Sequence, residues 1–217
     1  MRDQGEHRET ARLEAFSDGV FAIALTILVL DLRLPPLEKV TPGELIHGVL
    51  DLWPSYFAFA LSFATILIMW INHHARMGLI ARVDGLLVFA NGLLLFMVVS
   101  LVFPTSLVSQ YLTGPAGEGA VFIYAMFVLA TSGAWNVFML AMKPERGLLR
   151  SGVTASQIAT VRRRVATGFV IYVVAAGLAL VNAYLGLGLI TAMWGYWGTV
   201  AYRALNESRD FAGHSRR

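Results

Sequence analysis

The sequence predicts an all-α protein that crosses a membrane six times, and three observations carry that expectation. Of its 217 residues 57% are hydrophobic and only 14% are charged, against about 45–50% and about 25% in soluble domains; mean hydropathy is +0.63. Six separate apolar runs approach or exceed the roughly 20 residues that a helix needs to span a bilayer. Lys and Arg gather in alternate connections between those runs, as cytoplasmic loops require. Once the spans are placed little chain is left over, so a single membrane domain over residues 1–217 is expected.

The first run, 13–34, follows twelve polar residues. It is longer than a signal-peptide core and has no small-x-small cleavage site, so it should remain as a helix. The next three runs are 54–72, 86–103 and 120–142. The final apolar stretch of 38 residues is too long for one crossing and divides into 165–182 and 185–202. The segment Asn182 to Gly188 (NAYLGLG) supplies weak breakers for a tight hairpin between them. In the connection 34–53, Thr41-Pro42-Gly43-Glu44 reads as a helix start and predicts a short amphipathic surface helix. The connection 143–164 is strongly basic and suited to lie on anionic headgroups.

With the N-terminus inside, fifteen of the seventeen basic residues fall on the inner side. They are Arg2, Arg8 and Arg12; Arg76 and Arg82; Lys143, Arg146, Arg150, Arg162, Arg163 and Arg164; and Arg203, Arg209, Arg216 and Arg217. Only Arg33 and Lys39 remain outside, which predicts six spans with both termini cytoplasmic. Trp53, Tyr56, Trp70, Trp194, Trp197 and Tyr202 lie near the predicted boundaries, either as an aromatic belt or as ordinary packing residues.

In so apolar a chain the polar exceptions are informative, because an ionisable group at membrane depth is costly. Arg12, Ser17 and Asp18 open the first helix. Helix-start chemistry explains part of this, with an acid complementing the dipole and a serine capping amides, but Asp18 lies more than a turn inside the apolar run. His73 and His74 end the second run, and Asn91, Asn136 and Asn182 sit in the third, fourth and fifth. Each Asn is expected to bond a neighbouring helix. Adjacent histidines point about 100° apart on a helix; with no Cys, no HExxH and no apparent carboxylate cluster, a metal site is not expected.

There is no GxSxG, no Walker loop, no GxGxxG in a strand-helix setting and no pair of carboxylates at membrane depth. An enzyme, a bound cofactor, a small-molecule substrate and a nucleic-acid partner are therefore not expected.

The segment Arg12-Leu13-Glu14-Ala15-Phe16-Ser17-Asp18, with the apolar residues that follow, is similar to the RxxxFSD signature helix of the transmembrane protein 175 family of potassium channels. The resemblance continues through Trp70-Ile71-Asn72-His73-His74 and from Asp84 through Asn91 to Phe103-Pro104; beyond that it is one of hydropathy and span count. It implies a single six-helix unit of the prokaryotic type, a multi-pass plasma-membrane protein assembling as a homotetramer. The first helix of each subunit would line a central pore for K+, with its own copies and membrane lipid as partners. The carbonyl-filter sequence TVGYG is absent.

The constriction of the family motif lies seven residues after the Phe and falls on Ile23, with further apolar layers on Ile27 and Leu30. Such a ring acts as a dewetting gate. Thr26 would supply a ring of four hydroxyl oxygens that favours potassium. Arg12, Phe16, Ser17, Asp18, Trp70, His73, His74 and Asn91 carry the family motif, the polar ones among them locking the first three helices together. Ile23, Thr26, Ile27 and Leu30 share one stripe at i, i+3, i+4 and i+7. Asp18, Ala22, Leu25 and Val29 form a rival stripe, and periodicity does not choose between them.

Overall fold

Each long apolar run folds as a helix in the computed structural model, which describes residues 2–34 and 41–214, with side chains described for 8–34, 41–200 and 202. Of the basic residues counted for topology, Lys39, Arg216 and Arg217 lie outside the described residues, as do the side chains of Arg2, Arg203 and Arg209.

Helix α1 (Arg2–Ile27) continues as a 3-10 turn over Leu28–Asp31. It starts well before the expected 13, because Arg, Glu, Gln and Ala are competent helix formers that prolong the apolar helix into water. Helix α2 (Pro42–Asp51) is the expected surface helix. Its capping box is complete: the Glu44 amide donates to Thr41 Oγ1 at 3.2 Å and the Thr41 amide to the Glu44 carboxylate at 3.2 Å.

Helix α3 (Trp53–Met77) follows, then α4 (Gly85–Ser100) and α5 (Val102–Tyr111). These last two are one run with a break at Leu101. Pro104 has no amide to offer the Ser100 carbonyl four residues back, so the ladder is interrupted there and the run extends to Tyr111 rather than ending at 103. Helix α6 (Gly117–Ala141) packs against α4, α5, α7 (Ala155–Ala179) and α8 (Ala183–His214), and α3 packs against α1, α5 and α8.

The turn between α7 and α8 is tight, as expected, but lies a few residues earlier and spans Leu180 to Asn182. Asn182 caps α8 by accepting the amides of Tyr184 at 2.9 Å and Leu185 at 3.2 Å. Gly186 therefore lies within α8, where a Cβ would stand 2.7 Å from the Ala179 Cβ. This glycine permits close approach of the hairpin and does not break the helix.

Among the described residues four helical segments are long and apolar enough to cross a membrane: 8–31, 53–77, 85–111 and 117–141. Helices α7 and α8 have the length, with 25 and 32 residues. Arg162 to Arg164 interrupt the apolarity of α7, and Gly, Thr, Trp and Tyr dilute that of α8.

At one end of the bundle the connections are clipped together. Ile80 and Leu149 form an isolated antiparallel bridge; Ala81 donates to the Leu148 carbonyl at 2.8 Å and Arg150 to that of Leu79 at 2.9 Å. Thr10 Oγ1 of α1 reaches the Ala81 carbonyl at 3.3 Å. Gly147, at φ +65°, makes the left-handed turn that feeds this clip, and its carbonyl accepts from Arg82 at 2.9 Å. The basic stretch 143–164 is thus not one surface segment: its first part is clipped to the 78–84 loop, and Arg162, Arg163 and Arg164 belong to α7.

Asp84 caps α4 by accepting the Leu87 amide at 2.9 Å and pairs with Arg146. The Leu87 amide, then the Arg146 guanidinium, hold its carboxyl below the usual value against slight desolvation. A carboxyl depressed in the folded state stabilises above its unfolded pKa and loses that contribution as pH falls through the lower folded value. Asp84→Asn retains the cap and removes the charge. It is expected to lower Tm modestly at pH 7, with the gap to wild type closing as pH falls below about 4. Thermal unfolding in detergent across that range checks it; a gap independent of pH would overturn the assignment.

Candidate functional site

The predicted site residues lie on α1 with its 3-10 continuation, α3 and α4, and α1 meets the other two helices through Glu14, Ser17, Asp18 and Phe21. Ser17, Phe21, Ala24 and Leu28 recur every three or four residues and are fully buried, so this stripe faces the subunit core. On the other side Ala15, Gly19, Ala22, Ile23, Thr26, Val29 and Leu30 are exposed. Ile23 is 58% and Leu30 57% accessible, while Ile27, at the edge, is partly buried. Exposure thus separates Ile23, Thr26 and Leu30 from the core. Ala22 and Val29 of the rival stripe are also exposed, but Asp18 and Leu25 are half-buried.

The buried polar chain begins at Ser17, whose hydroxyl donates to the Leu13 carbonyl at 2.8 Å and accepts from Asn91 Nδ2 at 2.9 Å. With that amide nitrogen committed, Asn91 Oδ1 faces His73 Nε2 at 2.8 Å, which places the imidazole proton on Nε2. His73 Nδ1 is then buried with no hydrogen-bond partner. Its ring is walled by Phe21 at 5.4 Å, Phe138 at 5.7 Å and Trp135 at 6.4 Å between centroids. One hydrogen-bonded path therefore runs from α1 through α4 to α3 in a dry, aromatic setting, where each satisfied bond specifies helix register.

A second set lies nearer the surface. Trp70 Nε1 donates to Asp18 Oδ1 at 2.9 Å, and His74 Nδ1 stands 3.0 Å from the Glu14 carboxylate. Trp70 and His74, one turn apart on α3, stack at 6.0 Å. Glu14 and Asp18, one turn apart on α1, present their carboxylates to that pair. The ligand atoms of Glu14, Asp18 and His74 lie within 4.8 Å of one another. The sequence argument that no carboxylates stand near the histidines is therefore corrected. Hydrogen bonding to Trp70 and pairing between His74 and Glu14 account for the arrangement, and the two adjacent histidines diverge, one to Asn91 and one to Glu14.

Two motif residues are not brought into these networks. Arg12 is exposed and has no partner among the described residues, and Phe16 is 63% accessible. The other two asparagines make local contacts: Asn136 donates to the Ser132 carbonyl at 2.8 Å, and Asn182 caps α8. Of the aromatic residues near the boundaries, Trp53, Tyr56 and Tyr202 are exposed, whereas Trp70 and Trp194 turn inward to Asp18 and Thr65.

Sequence reasoning missed Glu14, whose signal is its place one turn before Asp18 on the same face. It also missed Arg76, nearly fully buried, which donates to Asn72 Oδ1 at 2.9 Å and to the Asn72 carbonyl at 3.1 Å.

The chain is similar to known proteins in sequence and in fold. Residues 12–102 match the family described as "Endosomal/lysosomal potassium channel TMEM175". A potassium channel of Chamaesiphon minutus is 39% identical over 87% of this chain and 93% of its own length. A potassium channel of Streptomyces collinus is 38% identical over 87% and 92%. The crystal structure of a lysosomal potassium-selective channel TMEM175 homolog from Chamaesiphon minutus superposes with a TM-score of 0.80 at 36% identity, covering 89% of this chain and 98% of that one.

Proposed function

Because this chain belongs to the TMEM175 family of potassium channels, we propose that it conducts potassium through a pore lined by α1 from each of four identical subunits. In this reading α1, α3, the α4–α5 run, α6, α7 and α8 are the six spans, both termini are cytoplasmic, and the chain resides in a prokaryotic plasma membrane. The observation that carries it is the two-sided α1. Its inner stripe is packed, and its outer stripe exposes Ile23, Thr26 and Leu30 away from the subunit core. Four such faces around an axis enclose a path that no single subunit supplies.

Ile23, Ile27 and Leu30 then form successive apolar rings that strip water from a cation and return no oxygen, which closes the pore to ions until it widens. Thr26 lies between them. Its hydroxyl proton is spent on the Ile23 carbonyl at 2.9 Å, so its oxygen lone pairs are free to face the axis. Four such oxygens suit a partly dehydrated potassium ion better than the more tightly hydrated sodium ion. Thr26→Val is expected to lower potassium preference several-fold, read as a shift of reversal potential under bi-ionic conditions; an unchanged potential overturns the role. The links Ser17–Asn91–His73, Asp18–Trp70 and Glu14–His74 hold α1 at a set rotation and act as supports of the pore, not as ion ligands.

Potassium efflux from proteoliposomes of purified protein tests the function. A monodisperse tetramer that conducts is expected. Well-folded protein that leaks no potassium under any driving force overturns the channel reading.

A further inference from the structure

We propose that the groove between α6 and α7 is a binding site for the headgroup of an anionic phospholipid. The groove has a volume of about 370 Å³ and is walled by Asn136, Met139 and Leu140 of α6 and by Arg162, Arg163 and Ala166 of α7. No acidic side chain lines it. The other described arginines at this end of the bundle from α3 onward are engaged, apart from Arg164: Arg76 with Asn72, Arg82 with the Gly147 carbonyl, Arg146 with Asp84 and Arg150 with the Ile80 carbonyl. The guanidiniums of Arg162 and Arg163 have no hydrogen-bond or ion-pair partner among the described residues; the Arg163 carbonyl accepts from Thr167 at 3.0 Å.

Position selects the occupant. Helix α7 turns apolar at Val165, so the two guanidiniums stand where the helix passes from water into hydrocarbon, which is the level of lipid phosphates. A guanidinium presents a planar fork of donors matched to phosphate oxygens. Ala159 and Ala166, two turns apart, keep the slot open. Phe169, Val170 and Val173 continue the same stripe at three- and four-residue spacing and are exposed, offering an apolar track for an acyl chain below the headgroup. Charge above and apolar surface below match a phospholipid, whereas a free anion would use only the upper part.

The test is thermal unfolding of the purified full-length protein in detergent with added phosphatidylglycerol, phosphatidylcholine or inorganic phosphate. Phosphatidylglycerol is expected to raise Tm of the wild type; phosphatidylcholine and inorganic phosphate at millimolar concentration are expected to do so far less. Arg162→Gln/Arg163→Gln is expected to weaken the phosphatidylglycerol response by roughly tenfold in concentration, while Lys143→Gln, outside the groove, responds as wild type. Should the double variant fail to fold, Ala166→Phe narrows the groove with both arginines in place and is expected to reduce the response. An undiminished response in the folded variants overturns the proposal. So does an inorganic phosphate response equal to that of the lipid, which makes this a simple anion site. Dissociation of the oligomer by Arg162→Gln/Arg163→Gln with the lipid response intact also overturns it, because the groove is then a contact between copies.

Discussion

Ile23→Asn is expected to raise potassium efflux from proteoliposomes by roughly tenfold or more. A tenfold gain corresponds to removing about 1.4 kcal/mol from the barrier, a modest demand when four desolvating side chains are each replaced by an amide that hydrates the path and offers an oxygen. The change is local because Ile23 is 58% accessible within the subunit, whereas the polar chain starts from the fully buried Ser17. Two comparisons make the result specific. Phe21→Asn places the same amide two residues away at a fully buried position, and is expected to destabilise the subunit without opening a pore. Ala22→Asn places it on the rival stripe. Higher flux from Ala22→Asn with none from Ile23→Asn would show that α1 is rotated in the assembly and that Ile23 is not the constriction.

Asn91→Leu is expected to cost about 1–3 kcal/mol of stability, a fall of several degrees in Tm for a chain of this length. Asn91 is nearly inaccessible and, among the described residues, links Ser17 of α1 to His73 of α3. Leu removes both contacts, but the two ends do not suffer equally. Ser17 keeps its donation to the Leu13 carbonyl. His73 is left with Nε2 unbonded in an aromatic pocket where Nδ1 already has no partner. The loss should therefore sit on His73, and His73→Phe added to Asn91→Leu should restore much of it, since removing both polar partners avoids the stranded group. Additive losses in the double variant would show that the path does not couple the helices. Because the same bonds set the rotation of α1, the single variant is also expected to alter flux.

The way these residues meet shows how much was legible beforehand. Composition, run length and charge bias placed one end of each long helix to within a few residues, because burial in hydrocarbon writes itself as long apolar runs; the other ends of α1, α5, α7 and α8 run on into polar sequence or past the expected stop. Thr41 and Glu44 announced α2, since a capping box is a local pattern. Helix ends that depend on distant groups were less legible. Gly186 looked like a breaker, yet its small size serves contact with Ala179 on the preceding helix. The loop pairing of Ile80 with Leu149 and the pairing of Glu14 with His74 join residues far apart in the chain, and no local pattern encodes such meetings.

By itself the sequence determined that this is an all-α membrane protein with a polar motif at the start of its first helix, because hydropathy, charge and short motifs act along the chain. Tertiary structure alone decided which face of that helix is free. Helix α1 is apolar on every side in its membrane part, so periodicity carries no preference. The choice falls to packing: Phe21, Ala24 and Leu28 are buried in the subunit core, and Ile23, Thr26 and Leu30 are left to face what lies beyond it.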